Sequence, residues 1–310
     1  VGLLQPEKVG TKTMSIDALD ASLHFDPTEP VAVIAGSGLF PRKLIETARA
    51  RGQKVYLCAH VHETDPDLIP LCEASIWIKV GQLGKIIGFL KKHRIRQAIF
   101  TGAISRLRLF VSAFPDWRAL QVMRRIGSLK DDIFLRGVTE ELEREGVFVF
   151  SSSEILTDFL SSEGCYTTRG LTVEEKQNAL IGWDAAKTLG SIDAGQSALV
   201  SQGLVVALEC VEGTDACIRR AGELTSKRPS VLVKLPKPQQ DKRLDLPSIG
   251  NVTIQTMIDS GVTALVLESG GAMILNPDEV IALANRAKIA IISVPSREKI
   301  LEDYYKKETS

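Results

Sequence analysis

The chain has 310 residues, enough for one large domain or two of moderate size, each burying its own core. Its 38 basic and 38 acidic side chains cancel, so no overall field draws it to DNA or to an anionic membrane, and an anionic ligand must be held by local charges. A hydrophobic fraction of 44% with 25% charged residues is that of a soluble globular protein, and 5% aromatic residues speaks against binding single-stranded nucleic acid.

Two domains are expected. Residues 1–28 read as an N-terminal tail without the cationic flank and apolar core of a signal peptide, and no run of about 18 apolar residues occurs, so a cytoplasmic protein is expected. Five cysteines (Cys58, Cys72, Cys165, Cys210, Cys217), odd in number and without C-x-x-C spacing, read mostly as small buried hydrophobes in a reducing compartment. His60 and His62 have no third ligand nearby, so no zinc site is indicated.

From Val31 short β-branched runs alternate with helical stretches, the pattern of βαβ units. Val31–Gly36 is a buried strand, Arg42–Ala50 a helix, Lys54–Cys58 and Ile76–Val80 strands, Leu83–His93 a helix and Gln97–Ala103 a fourth strand. Such short connections predict a parallel sheet covered by helices. The stretch Arg106–Gly127 is irregular and mixes apolar residues with arginines; Asp131–Glu145 reads as an amphipathic helix, and "VFVFSS" as the strand that closes the sheet. Residues 29–155 are therefore expected to form a Rossmann-like N-terminal domain and residues 156–170 an inter-domain crossing.

Thr172 and Glu175 make a capping box, with Ala179, Ile181, Trp183 and Ala186 as apolar positions of the helix beyond it. Ser197–Cys210 reads as two strands around a Gln-Gly turn. Helix Thr214–Gly222, strand "SVLVKL", a charged loop, helix Val252–Ser260, strand "ALVLES", helix Pro277–Arg286 and strand "AIISV" follow. The expected fold class is α/β, with two α/β domains: a Rossmann-like parallel sheet first, then a smaller mixed sheet with helices in a catalytic domain over residues 171–310.

Gly36-Ser37-Gly38 follows a strand and precedes a helix, where backbone N–H groups can hold a phosphate. A dinucleotide fingerprint would need a third glycine and an acidic residue ending the second strand. Pro41 and Cys58-Ala59-His60 stand there instead, which disfavours a nicotinamide-dependent oxidoreductase. Contact with a nucleotide phosphate or ribose stays open beside a tight turn that binds nothing.

In the second half, charge gathers where strands end: Glu209, Glu212 and Asp215 after one strand, Lys234 and Lys237 at the end of the next, then Asp241, Lys242, Arg243 and Asp245 in "KPQQDKRLDLPSIG". Open α/β sheets bind ligands outside the carboxyl ends of their strands. Carboxylates mixed with cations suit a metal-bridged phosphate, because Mg2+ takes one or two carboxylate oxygens plus phosphate oxygens and water. The alternative is a solvated turn whose surface pairs contribute only about 0–1 kcal/mol each. Pro236, Pro238 and Pro247 stiffen the loop and favour the functional reading. Asp131-Asp132 admits both readings, since two acids in a first helical turn already complement the macrodipole.

Six collinear motifs, "VAVIAGSGLFP", "TGAISR", "KDDIFLR", "DAGQSALV", "ECVEGTDACIRRAG" and "KPQQDKRLDLPSIG", together resemble the LpxI-type UDP-2,3-diacylglucosamine pyrophosphatases of bacterial lipid A synthesis, from about Val31 to Val294. Lys130 stands where the family has a glycine. The resemblance implies hydrolysis of UDP-2,3-diacylglucosamine to 2,3-diacylglucosamine 1-phosphate (lipid X) and UMP with Mg2+, by two α/β domains that enclose the lipid product. It also implies attack of water on the phosphorus nearer the sugar.

On this reading Asp241 and Asp245 hold Mg2+ or orient the water, while Lys237 and Arg243 contact the diphosphate. Gly36, Ser37 and Gly38 line the nucleotide or sugar-phosphate side, and Thr101, Gly102, Asp131, Asp132, Gln196, Glu212, Thr214 and Asp215 complete the substrate-binding set. The acyl chains need an apolar cleft. Leu107–Met123 is the candidate lining, with Phe110, Phe114, Trp117 and Met123 beside Arg106, Arg108 and Arg118; its composition also suits transient contact with the inner face of the inner membrane, and packing on the first sheet is the alternative. Association into a homodimer is left open. A non-catalytic nucleotide-sugar-binding regulatory protein is the rival reading.

Overall fold

The structure, a computed structural model, describes residues 24–104, 115–126, 131–238, 243 and 246–305, without the side chains of residues 131–133 and 303–305. The first sheet is built from β1 (Val31–Ala35), β2 (Val55–His60), β3 (Ala74–Ile78), β4 (Gln97–Thr101) and β5 (Phe148–Phe150). All its pairings are parallel, in the order β3-β2-β1-β4-β5. Because side chains alternate along a strand, β1 serves two cores at once. Val31, Val33 and Ala35 pack with Leu44, Ile45 and Ala48 of α1 (Phe40–Ala50). Ala32 and Ile34 face the other way, towards α2 (Leu83–Lys92), α3 (Trp117–Ile126) and α4 (Asp131–Arg144). A strand covered on both faces must read as a continuous apolar run, which explains "VAVIA".

The second sheet combines β6 (Gly164–Cys165), β7 (Ser197–Ser201), β8 (Leu204–Leu208), β9 (Ser230–Lys234), β11 (Val262–Glu268) and β13 (Ala290–Val294) in the order β6-β13-β11-β9-β7-β8. β9, β11 and β13 run parallel; β6 and the β7–β8 hairpin are antiparallel. α5 (Val173–Ser191) and α9 (Arg297–Tyr305) cover one face, packing on Ala198, Val231, Val233 and Val266. On the other, α6 (Thr214–Thr225), α7 (Asn251–Ser260) and α8 (Pro277–Arg286) pack on Leu199, Leu232, Leu265 and Ile291. Two short strands, β10 (Ser248–Ile249) and β12 (Met273–Ile274), pair with each other.

The α/β reading holds, with a parallel sheet followed by a mixed one. Among the described residues the second sheet is not the smaller: six strands stand against five. Its extra strand, β6, arises from the stretch read as a crossing and pairs with β13, and the irregular arginine-bearing stretch contains α3. Of the cysteines only Cys58 and Cys217 are buried; Cys165 and Cys210 are exposed because they sit in an edge strand and in the turn after β8. Among the described residues no helix is long and apolar enough to cross a membrane.

The two sheets are joined by packing as well as by chain. Met273, buried, belongs to the α1-side core of the first sheet together with Ile155, Leu156 and the half-buried Leu246. Ser161 donates its N–H to Ala272 O at 2.8 Å and accepts from Gly270 N at 2.6 Å, so the turn after β11 is held to the segment that leaves the first sheet.

Candidate active site

In the first sheet β1 pairs with β2 on one side and with β4 on the other, so the chain order reverses between β1 and β4, the place where open α/β sheets take ligands. There "GSG" and "TGA" fold into one main-chain clasp. Gly36 N–H donates to Thr101 O at 2.8 Å, Ser37 N–H and Oγ donate to Ala103 O at 2.7 and 2.9 Å, and Ala103 N–H returns to Ser37 O at 3.0 Å. A Cβ on Gly36 would stand 2.3 Å from Ala103 O, and one on Gly102, whose φ is +82°, 2.6 Å from Ser37 O. Both positions therefore require glycine for close approach, and Gly102 for its left-handed backbone as well.

Beneath the clasp, Ala35 O accepts from Thr64 Oγ1 at 2.6 Å and lies 2.9 Å from His60 Nδ1, while His60 N–H donates to Thr64 Oγ1 at 2.8 Å. Burial pushes the His60 pKa below its ordinary value, outweighing the carbonyl that favours the charged ring. A neutral ring protonated on Nδ1 is the form that donates to a carbonyl. His60 thus props the end of β1, and among the described residues no group of three His, Cys, Asp or Glu is placed to hold a metal.

The second sheet presents side chains instead. Ser197 and Lys234 are register partners across β7 and β9, and Glu209 N–H donates to Ser197 O at 2.9 Å, which sets the three residues side by side at one sheet end. Lys234 is 2% exposed and Glu209 6%. The Lys234 ammonium donates to Thr214 Oγ1 at 2.6 Å, the Thr214 hydroxyl donates to Glu209 Oε1 at 3.1 Å, and Glu209 Oε2 lies 4.0 Å from Lys234 Nζ. Thr214 begins α6, whose N-cap, Gly213, supplies no side-chain cap. Gln196 Oε1, Ser197 Oγ, Glu209 Oε2 and Asp215 Oδ1 are buried and make no hydrogen bond with the described residues. Such a concentration is unusual in a folded interior, where buried polar atoms are nearly always paired.

Around this cluster two predicted residues are engaged elsewhere. Glu212 accepts from Cys210 N–H at 3.1 Å and from Arg220 at 2.7 Å; backbone hydrogen bonding and Arg220 hold its carboxyl below the usual range. Lys237 donates to Asp193 at 2.7 Å. The charged loop then crosses to the first domain: Arg243 Nη1 donates to Glu143 of α4 at 3.0 Å, and Pro247 O accepts from Met273 N–H at 2.7 Å. Asp241, Lys242 and Asp245 lie outside the described residues, as do the side chains of Asp131 and Asp132 at the start of α4 and the tract 105–114 with Arg106, Leu107, Arg108, Phe110 and Phe114. Of the apolar lining expected beyond that tract, Trp117 is 63% exposed with Arg124 5.9 Å from its ring centroid. Arg118 is committed to Glu141, at 3.0 Å, and to Glu145.

The predicted residues therefore fall into two groups: Gly36, Ser37, Gly38, Thr101 and Gly102 at the first sheet, and Gln196, Thr214 and Asp215 with Lys237 nearby at the second. Glu209, Lys234 and Ser197 belong to the second group; sequence reasoning placed Glu209 and Lys234 among the charges at the strand ends but assigned neither a role, and it passed over Ser197. The signal was present in "SVLVKL": a lysine on the same face as Leu232, inside an apolar strand, needs a buried partner.

The chain matches the model of the LpxI N-terminal domain over residues 30–159 and that of the LpxI C-terminal domain over residues 162–292. It is 31% identical over 279 residues to the UDP-2,3-diacylglucosamine pyrophosphatase LpxI of Caulobacter vibrioides, covering 87% of this chain and 99% of that protein. Among solved structures, UDP-glucose 4-epimerase from Thermotoga maritima with UDP-glucose (13% identity, 46% of this chain and 41% of that one, TM-score 0.28) and biotin carboxylase from Campylobacter jejuni (14%, 63% and 42%, TM-score 0.26) are too distant to argue from. Two consecutive domain models and a relative matched along almost its whole length lead to one statement: the chain belongs to the LpxI family.

Proposed function

We propose that the protein hydrolyses the diphosphate of UDP-2,3-diacylglucosamine, giving lipid X and UMP, as a step of lipid A biosynthesis. The observation that carries this reading is the near-complete alignment with a relative bearing that activity in its name. The geometry agrees in kind. A loop rich in carboxylates and cations leaves the sheet end at Lys234, passes Lys237 and reaches Glu143 of the other domain through Arg243, so a diphosphate held by that loop would lie between the domains.

In the reaction water adds to one phosphorus, the bridging P–O bond breaks, and its electron pair leaves with the UMP oxygen. Lys237 and Arg243 offset the charge of the two phosphates, and the main-chain clasp at Gly36–Gly38 and Thr101–Gly102 lines the opposite wall. Gln196, Thr214 and Asp215 face the same ligand from the second sheet, with Glu212, Asp131 and Asp132 at its margin. Carboxylate oxygens, without thiolate or imidazole, are the donors Mg2+ takes, and Asp215 Oδ1, buried and without a hydrogen-bond partner among the described residues, is one such acceptor at this sheet end. Asp241 and Asp245 would hold the ion, which when bound neutralises charge on the diphosphate. The acyl chains are assigned to the tract 107–123, whose described part includes the exposed Trp117, beside the membrane from which the substrate is drawn.

UMP release from UDP-2,3-diacylglucosamine, followed with and without a chelator, tests the reading. Asp241→Ala and Asp245→Ala should each lower turnover by at least about a hundredfold with unfolding midpoints unchanged. Near-normal turnover in both variants would sink the assignment.

A further inference from the structure

The buried pair Lys234–Glu209 converges on one hydroxyl. Thr214 Oγ1 accepts from Lys234 at 2.6 Å and donates to Glu209 at 3.1 Å, so its proton and one lone pair are spoken for inside the protein. Thr214 is the first residue of α6, a helix of 12 residues whose N-terminus has no side-chain cap. An uncapped helix start offers free N–H groups and the positive end of the macrodipole to an anion. A carboxylate beneath it would cancel that advantage, and Lys234, in ion-pair contact at 4.0 Å, offsets the charge of Glu209. Ser197 Oγ, fully buried, and Glu209 Oε2 remain without hydrogen-bond partners among the described residues at the same spot, which marks the sheet end as built for more than closure of the core. Burying two ions is rarely the cheapest way to fill space; apolar residues of similar volume often serve stability as well or better.

Resting on the hydrolase reading above, we infer that Lys234 and Glu209 are positioning residues: through the Thr214 hydroxyl they fix the first turn of α6, whose backbone N–H groups receive a phosphoryl oxygen of the nucleotide sugar. Neither ion touches the substrate. The pair sets how well the substrate is held, so its loss appears in KM rather than in kcat.

The test measures UMP release against substrate concentration, together with unfolding midpoints, for the wild type, Thr214→Val, Thr214→Ser and the doubly neutral Lys234→Met/Glu209→Gln. Thr214→Val keeps the shape and removes both hydrogen bonds; KM should rise about tenfold with kcat within about threefold of wild type. Thr214→Ser, which restores the hydroxyl, should return KM to within about twofold. The double variant should repeat the KM defect without a buried lone charge. A Thr214→Val enzyme with wild-type KM, or one that loses kcat at unchanged KM, overturns the inference, as does a folded double variant with wild-type KM. If the double variant does not fold, Thr214→Val decides alone. Absence of UMP release by the wild type is a separate outcome and removes the hydrolase reading, with the inference that rests on it.

Discussion

At the first sheet the crevice between β1 and β4 is closed by main chain, whereas at the second sheet the end formed by β7, β8 and β9 is built from charged side chains set in register. The first tolerates no side chain at Gly36 or Gly102, because its contacts are main chain to main chain. The second holds an ammonium and a carboxylate that are both almost fully buried. Backbone clasps depend on shape and are indifferent to pH; ion clusters accept changes of shape more readily than changes of charge. The two ends of the proposed site should therefore fail in different ways.

The sharpest way to separate them is steric. Gly36→Ala and Gly102→Ala each drive a methyl into backbone at 2.3 and 2.6 Å, and each should destabilise the fold by about 3 kcal/mol in chemical denaturation. Gly38→Ala is the control: its φ is +99° but a Cβ there meets nothing within 4 Å, so only backbone strain of about 1 kcal/mol is expected. Equal losses at all three would mean that the clasp is looser than its distances state.

Charge sensitivity of the second domain is tested at Glu175, the N3 residue of the α5 capping box. Its carboxylate takes two hydrogen bonds from Arg169, at 2.8 and 2.9 Å, and one from Thr263 at 2.7 Å. Burial raises its pKa, but Arg169, the Thr172 N–H and Thr263 together outweigh burial, and the net shift is below the ordinary 4.5. A carboxyl with a depressed folded pKa contributes stability above its unfolded value and loses it as pH falls through the folded one. Glu175→Gln should therefore destabilise by about 2 kcal/mol near pH 7, and the gap to wild type should close as pH drops below about 4.5. A gap that persists unchanged at pH 3 would show that the carboxylate charge is irrelevant there.

The smallest effect concerns the contact between the domains. Arg243 and Glu143 are both partly exposed, so a double-mutant cycle with alanine at each should give a coupling of no more than about 1 kcal/mol in stability. If Arg243 meets the diphosphate as proposed, Arg243→Ala raises KM while Glu143→Ala does not. Equal kinetic defects would make the ion pair itself, rather than Arg243, the functional unit.

Much of this was legible in one dimension. Short β-branched apolar runs placed β1, β7, β8 and β13, and helical periodicity placed α5 and α8, because apolar runs of those lengths between turn residues have few other uses. The capping box at Thr172 and Glu175 forms as read. β6 escaped notice because two residues carry no periodicity, and α3 because arginines interrupt its apolar positions; Arg118 and Arg125 are there to pair with Glu141 of α4.

By itself the sequence determined the alternation of strands and helices, the glycines at the end of β1 and after β4, and the family, since these reside in local pattern and in ordered motifs. Tertiary structure alone decided that Gly36 and Gly102 need each other, that Lys234 and Glu209 meet on Thr214, and that Arg243 reaches Glu143. Each of those contacts joins residues 5 to 100 positions apart, and which of them meet depends on strand order and register, quantities that no window along the chain contains.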